Sequence, residues 1–230
     1  VQLQQQDGRE TGDMEANLKV FAEFTVTEIL KENGQVAGVY GYYRENGDEA
    51  LFEAPAVVIA TGGVGKAFKI TSNSWEGTGD GHALALKAGA NLKDMEFLQF
   101  HPTGMVWPPS VRGILVTESV RGEGGVLTNN KGERFMFNYI PDVFKDKYAT
   151  TEEEADRWYT DQDNNRRPPE LLPRDEVARA INSEVKAGRG TEHGGVFLDV
   201  SKRLSAEVIK KRLPSMWHQF YELAGVDITK

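Results

Sequence analysis

The spacing of hydrophobic and polar positions changes along the chain, and each change of period predicts an element. Residues 1–17 are polar without a clear period, the texture of a severed helix or a loop. Val20–Phe24 and Glu28–Lys31 are predicted as strand pieces flanking a short connection. Asn33-Gly34 is a turn signal, and Gln35–Tyr43 follows as a strand rich in β-formers. Asn46-Gly47-Asp48 predicts a second turn, after which Ala50–Glu53 pairs back to complete an antiparallel meander. Ala56–Ala60 is apolar throughout, the pattern of a strand covered on both faces. Thr78-Gly79-Asp80-Gly81 opens a helix of small apolar residues that Gly89 ends. Thr150–Glu154 carries a capping-box pattern, and the charged stretch 141–170 has the texture of a surface insertion. A cleaner helix spans Arg174–Ala187, with Val177, Ala178, Ile181 and Val185 on one face and Gly188 as its stop. Val196–Val200 reads as a strand, Ser205–Arg212 as a helix, and Pro214 starts another helix through Leu223.

Composition narrows the class without changing the elements. Hydrophobic residues make up 39% and charged residues 27%, an ordinary globular balance. Acidic residues outnumber basic ones by 35 to 27, for a net charge of −8, which argues against a nucleic-acid partner. No apolar run approaches the ~20 residues that span a bilayer. Val1–Gly12 lacks the charged and apolar regions of a signal peptide. With 0 cysteines the chain forms no disulfide and ligates no iron–sulfur cluster by itself; a reducing compartment fits.

Chemistry concentrates in a few short segments. Ala60-Thr61-Gly62-Gly63 ends the apolar run, where glycines let backbone approach a cofactor; a plain strand-to-loop turn fits equally. No G-x-G-x-x-G or Walker A fingerprint completes here. Asp80 reads as an N-cap or as a cofactor contact. Pro102 holds His101 in extended backbone, where a histidine suits an anionic ligand or a satisfied loop core. Glu118 and Arg121, three apart, sit side by side on one turn at the end of the strand-like run Gly113–Val116. A surface ion pair there would be worth little. Arg174 stands at a helix start that disfavours a cation, which points to an anionic partner or to a side chain reaching solvent.

Ala60–Gly63, Thr78–Gly81, Gln99–Gly104, Thr117-Glu118 with Arg121–Gly125, Gly132–Met136 and Arg174–Ala180 occur in that order. Together they resemble the flavoprotein subunit of succinate dehydrogenase or fumarate reductase, over most of the chain. The fold class the resemblance implies is α+β: part of a FAD-binding α/β domain with a β-meander over 1–96, plus an α+β capping (substrate) domain over 97–230. It implies FAD approached by Ala60, Thr61, Gly62, Gly63 and Asp80, and substrate carboxylate held by His101 and Thr117. It makes Arg174 the proton shuttle between succinate and fumarate, with Glu118 and Arg121 as the relay to solvent, and no metal site. The segment from Gln99 to Asp175 is then the substrate-facing half of the site.

A free arginine loses its proton only above about pH 12, so such a shuttle works only if proton loss is concerted with hydride transfer. The resemblance also implies two kinds of partner, membrane-anchor subunits and an iron–sulfur subunit, with a peripheral place on the cytoplasmic face of a membrane. The family's glycine fingerprint, its flavin-linked histidine and a second substrate histidine and arginine have no match here. The 230-residue chain is therefore expected to be an internal fragment that neither holds FAD tightly nor turns over alone. Val106–Arg112 and 141–170 are longer than in the plainest members, which marks a particular branch of the family or a contact with a partner subunit. L-aspartate oxidase shares the His-Pro-Thr and Thr-Glu…Arg-Gly-Glu-Gly patterns and is the alternative; a non-catalytic domain retaining the motifs is another. Gly104, Gly125 and the long insertion favour the first reading.

Overall fold

The computed structural model describes residues 18–230, which fall into two compact units. The polar stretch 1–17 lies outside the described residues. The first unit comprises the described residues up to Ala67 together with Ser74–Met95; the second comprises Phe68–Asn73 and Glu96–Lys230.

The first unit is built on an antiparallel meander of β1 (Phe24–Glu32), β2 (Gln35–Tyr43) and β3 (Glu49–Glu53), in that spatial order. Asn33 and Gly34 both take positive φ, 52° and 83°, the turn whose twist suits a two-residue hairpin. Of the first predicted strand piece only Phe24 is strand, with residues 20–23 irregular or turn, while the expected connection 25–27 is strand continuous with Glu28–Lys31. The register slips between Val26 and Glu28, and that irregularity breaks the hydrophobic alternation that suggested a connection. Phe24 packs edge-on against Tyr43 and Phe52, each at 5.0 Å. Helix α1 (Asp80–Lys87) is tied to the sheet by Lys31, whose Nζ donates to the Ala88 carbonyl at 2.8 Å. Its N-cap is Gly79, not Asp80; the Asp80 carboxylate instead accepts from the Thr78 hydroxyl at 2.8 Å. Ala56–Ala60 forms no strand, and Val58 is 89% exposed. An all-apolar run becomes a buried strand only when sheet neighbours cover both faces. Among the described residues it has none.

The second unit is mainly helical. After α2 (Glu118–Gly122) come β4 (Val126–Thr128), α3 (Glu152–Trp158), α4 (Arg174–Lys186), β5 (Phe197–Asp199), α5 (Ala206–Arg212) and α6 (Pro214–Ala224). β4 pairs antiparallel with β5. The run Gly113–Val116 contributes only a bridge between Gly104 and Leu115, not a strand. One core gathers Val116, Val120, Ile209, Leu213 and Phe220; another gathers Leu127, Phe135, Met136, Leu172 and Val177. Thr151 caps α3 by accepting from the Glu154 amide at 3.3 Å, and Ser205 caps α5 the same way at 3.4 Å. α4 buries Val177, Ala180 and, less expectedly, Glu184. That carboxylate accepts from both Nε and Nη2 of Arg189, from the Tyr139 hydroxyl and from the Asn129 amide. The Arg189 bonds above all hold its pKa down at about 2. The stretch 141–170 is only partly a surface insertion: Ala149, Ala155, Pro168, Pro169 and Glu170 are buried.

Candidate functional site

Two short segments bring the charged residues of the second unit together. α2 begins at Thr117, whose hydroxyl makes no cap bond, and places Glu118 and Arg121 on one side of a single turn. The chain can double back after it because residue 125 has no side chain: a Cβ there would stand 2.7 Å from the Val120 carbonyl oxygen. α4 begins with Arg174 directly after Pro173. The cation at this helix start is compensated. Its Nε donates to Glu118 Oε2 at 3.3 Å and its Nη1 to Gln99 Oε1 at 3.2 Å. Glu118 Oε2 also lies 4.0 Å from Arg121 Nη2. The three charges thus form a line, Arg174–Glu118–Arg121, that runs from a side chain 42% exposed to one that is 0% exposed.

Arg121 is the buried end. Burial pushes its pKa below the usual arginine value, partly opposed by Glu118. Its Nη1 donates to the Glu170 carbonyl at 2.5 Å, while Nε and Nη2 find no hydrogen-bond acceptor. The pair with Glu118 is therefore not the exposed ion pair that spacing alone allows.

His101 is half-buried beside Thr103, with Nδ1 3.3 Å from the Thr103 amide and 3.2 Å from its carbonyl. Which of these is used depends on the tautomer. Burial lowers its pKa; the charges of Arg174 and Arg121 add to that, and the Thr103 carbonyl and Glu118 oppose it. At neutral pH the ring is uncharged and keeps one N–H to donate. Thr103 is itself anchored, its hydroxyl donating to the Val116 carbonyl at 2.8 Å.

The remaining candidates belong to the first unit. Ala60, Thr61, Gly62 and Gly63 form an exposed, irregular segment, with Gly62 at φ +75°. A Cβ on Gly62 or Gly63 would meet nothing within 4 Å, whereas one on Gly81 would strike the Thr61 hydroxyl at 1.9 Å. The segment therefore lies against the N-terminal turn of α1, with its glycine backbone open. His82 Nδ1, in that same turn, is buried without a partner. Open glycine backbone beside a helix N-terminus fits the diphosphate of a dinucleotide. Asp80, whose carboxylate is engaged by Thr78, is exposed at the same place.

Motif reading missed four residues that shape this region. Gln99 shares Arg174 with Glu118. Glu170 holds Arg121, Arg134 grips the Glu170 carboxylate through Nε at 2.6 Å and Nη2 at 2.9 Å, and the Tyr159 hydroxyl donates to the Arg121 carbonyl at 3.0 Å. Gln99 and Arg134 lie inside segments already singled out; Tyr159 and Glu170 carry no sequence signal. A cavity of about 1000 Å³ in the same unit is lined by Met105, Trp107, Thr191, His193 and Phe220, and Glu118, Arg121 and Arg174 are not among its walls. No group of His, Cys, Asp or Glu that could hold a metal ion occurs among the described residues. None of their helices is long and apolar enough to cross a membrane.

The sequence profile of the family described as "FAD binding domain" matches residues 10–230, across both units. The chain is 45% identical to a component of the fumarate reductase (CoM/CoB) of Methanothermobacter marburgensis, over 92% of this chain and 34% of that protein. It is 39% identical to the succinate dehydrogenase flavoprotein subunit of Rickettsia bellii, over 93% of this chain and 31% of that one. Among solved structures, Mycobacterium smegmatis Sdh1 in complex with UQ1 matches all of the chain at 61% identity and TM-score 0.61, with 34% of that chain covered. An E. coli quinol fumarate reductase matches 89% at 34% identity and TM-score 0.71, with 32% of that chain covered. The chain spans about a third of the length of the curated relatives it matches.

Proposed function

From the premise that this chain belongs to the FAD binding domain family, whose cofactor is FAD, we propose that the protein containing it interconverts succinate and fumarate. The observation that carries the proposal is the line Arg174–Glu118–Arg121, with a neutral His101 beside it. The kinship with succinate dehydrogenase and fumarate reductase flavoproteins supports the choice of substrate.

FAD, when bound, supplies two-electron hydride chemistry. In this reading the open backbone of Ala60–Gly63 and the helix start at Asp80 hold it. The second unit is read as the substrate-carrying part. His101 and Thr117 donate to one substrate carboxylate, from an imidazole N–H and from a hydroxyl not spent on capping. Arg174 keeps Glu118 and Gln99 on Nε and Nη1, and Nη2 remains for the substrate. It gives a proton to the substrate carbon in fumarate reduction and takes one in succinate oxidation. Glu118 Oε2, within hydrogen-bond reach of Arg174 and 4.0 Å from Arg121, passes the proton between the two guanidiniums. Burial of Arg121 makes its proton easier to release than that of a free arginine. Membrane anchors and an iron–sulfur subunit complete the proposed assembly and place this chain peripherally on the cytoplasmic face.

The test uses the whole FAD-loaded protein, assayed for dye reduction with succinate and, separately, with L-aspartate. Succinate is expected to be oxidised and aspartate not; the reverse identifies an aspartate oxidase. Arg174→Lys keeps the charge and loses the planar fork. It is expected to lower kcat by about 10²–10⁴-fold while flavin content stays unchanged. Unaltered turnover sinks the assignment.

A further inference from the structure

The relay leaves unexplained how a wholly buried guanidinium is kept in place when most of its N–H groups are unspent. Arg121 is 0% exposed, yet among its five N–H donors only those of Nη1 have an acceptor, the Glu170 carbonyl at 2.5 Å. Glu118, at 4.0 Å, stands beyond a direct hydrogen bond. A buried charge so thinly paired is costly, and only a rigid surround keeps it from reorienting.

That surround is present. Glu170 lies in a single 3-10 turn, Pro169–Leu171, behind the buried Pro168. Its carboxylate, 0% exposed, is taken by both ends of the Arg134 fork, at 2.6 and 2.9 Å. Burial works against the Arg134 charge, but the bonds to Glu170 and then Asp156 more than offset it and hold its pKa above the usual arginine value. Arg134 also donates to Asp156 at 2.8 Å, and Asp156 accepts from Arg203 as well. The 3-10 turn on the backbone and the bidentate grip on the side chain therefore both restrain the Glu170 carbonyl. From the other side, the Tyr159 hydroxyl donates to the Arg121 backbone carbonyl at 3.0 Å. Burial raises the Tyr159 pKa, so the hydroxyl stays a neutral donor.

We infer that Glu170, Arg134 and Tyr159 are positioning residues for Arg121, fixing the guanidinium so that its free N–H groups stay directed at the relay; the inference rests on the relay proposed above. The frame touches no reacting atom. It acts by holding the Arg121 guanidinium at 4.0 Å from Glu118, so that movement of the half-exposed Glu118 side chain alone closes the gap for proton exchange.

The experiment compares Tyr159→Phe, Arg134→Lys and Arg174→Lys in the full-length FAD-loaded protein. Flavin absorbance per chain, KM for succinate, kcat and the solvent deuterium isotope effect on kcat are read for each. Tyr159→Phe removes one oxygen and little packing. It is expected to keep flavin and leave KM within about twofold, while kcat falls about fivefold to tenfold and the isotope effect rises as proton supply limits turnover. Arg134→Lys, which keeps charge but not the fork, is expected to lower kcat further. If Arg134→Lys fails to fold, Tyr159→Phe alone decides. Parental kcat and isotope effect in folded, flavin-loaded Tyr159→Phe, with Arg174→Lys inactive, overturn the frame and leave the relay standing. Normal turnover in Arg174→Lys overturns the relay and the frame with it. A purely structural network would move stability and flavin content but not the isotope effect.

Discussion

His101 shows how one side chain is set for its task by its burial and by the charges beside it. Burial, together with Arg174 and Arg121, keeps its pKa below the ordinary 6.5, so the free protein presents a neutral ring near pH 7. A bound carboxylate would favour the charged imidazolium and raise that pKa in the complex. Binding then takes up a proton, so dicarboxylate affinity in the whole protein should strengthen as pH falls from about 8 toward about 6, by roughly threefold to tenfold. Titrating succinate by flavin absorbance over that range checks this. A flat profile, or one that persists in His101→Gln, removes His101 from the carboxylate site.

A cation at a helix start has an electrostatic reason to seek an anion, so Arg174 points to a partner or to solvent, but nothing in the sequence names Glu118, 56 residues away, as that partner. Arg134–Glu170 carries no such signal, because its partners are 36 residues apart and Glu170 sits in a stretch whose charge density suggests solvent.

At the scale of elements, legibility follows how local the cause is. β2 spans Gln35–Tyr43 as its composition predicts, and α4 begins at Arg174 as its periodicity predicts. Both are fixed by residues next to one another. Ala56–Ala60 depends on sheet neighbours, and the start of β1 on a slip of register against β2, neither of which is written in the segment itself. The tight return after α2 is local again and yields a firm expectation. Gly125→Ala puts a methyl 2.7 Å from the Val120 carbonyl oxygen and 3.0 Å from Leu198 Cδ1. Backbone cannot give way there as a flexible side chain would. The variant should lose about 1–3 kcal/mol in denaturant unfolding. Parental stability would mean that the turn has room to relax.

For the whole molecule, several large apolar side chains are left in water in each unit. Val58 at 89% and Trp75 at 79% exposure lie in the first unit, and Phe97 at 76% and Phe100 at 61% in the second. Large apolar side chains so exposed favour association. The 230-residue chain on its own is expected to enhance the fluorescence of a hydrophobic dye and to self-associate in light scattering. A monodisperse monomer that leaves the dye dark would contradict this.

The Arg134–Glu170 clasp also has a consequence for descent. Replacing Arg134 strands Glu170 as a buried charge, at a cost of about 3–5 kcal/mol, a large share of a domain's margin, whereas Arg134 without Glu170 still has Asp156. Drift that loses the arginine first is therefore blocked, and across generations the glutamate should change before it or with it. Lineages that have lost the arginine are expected to carry an uncharged residue in place of the glutamate.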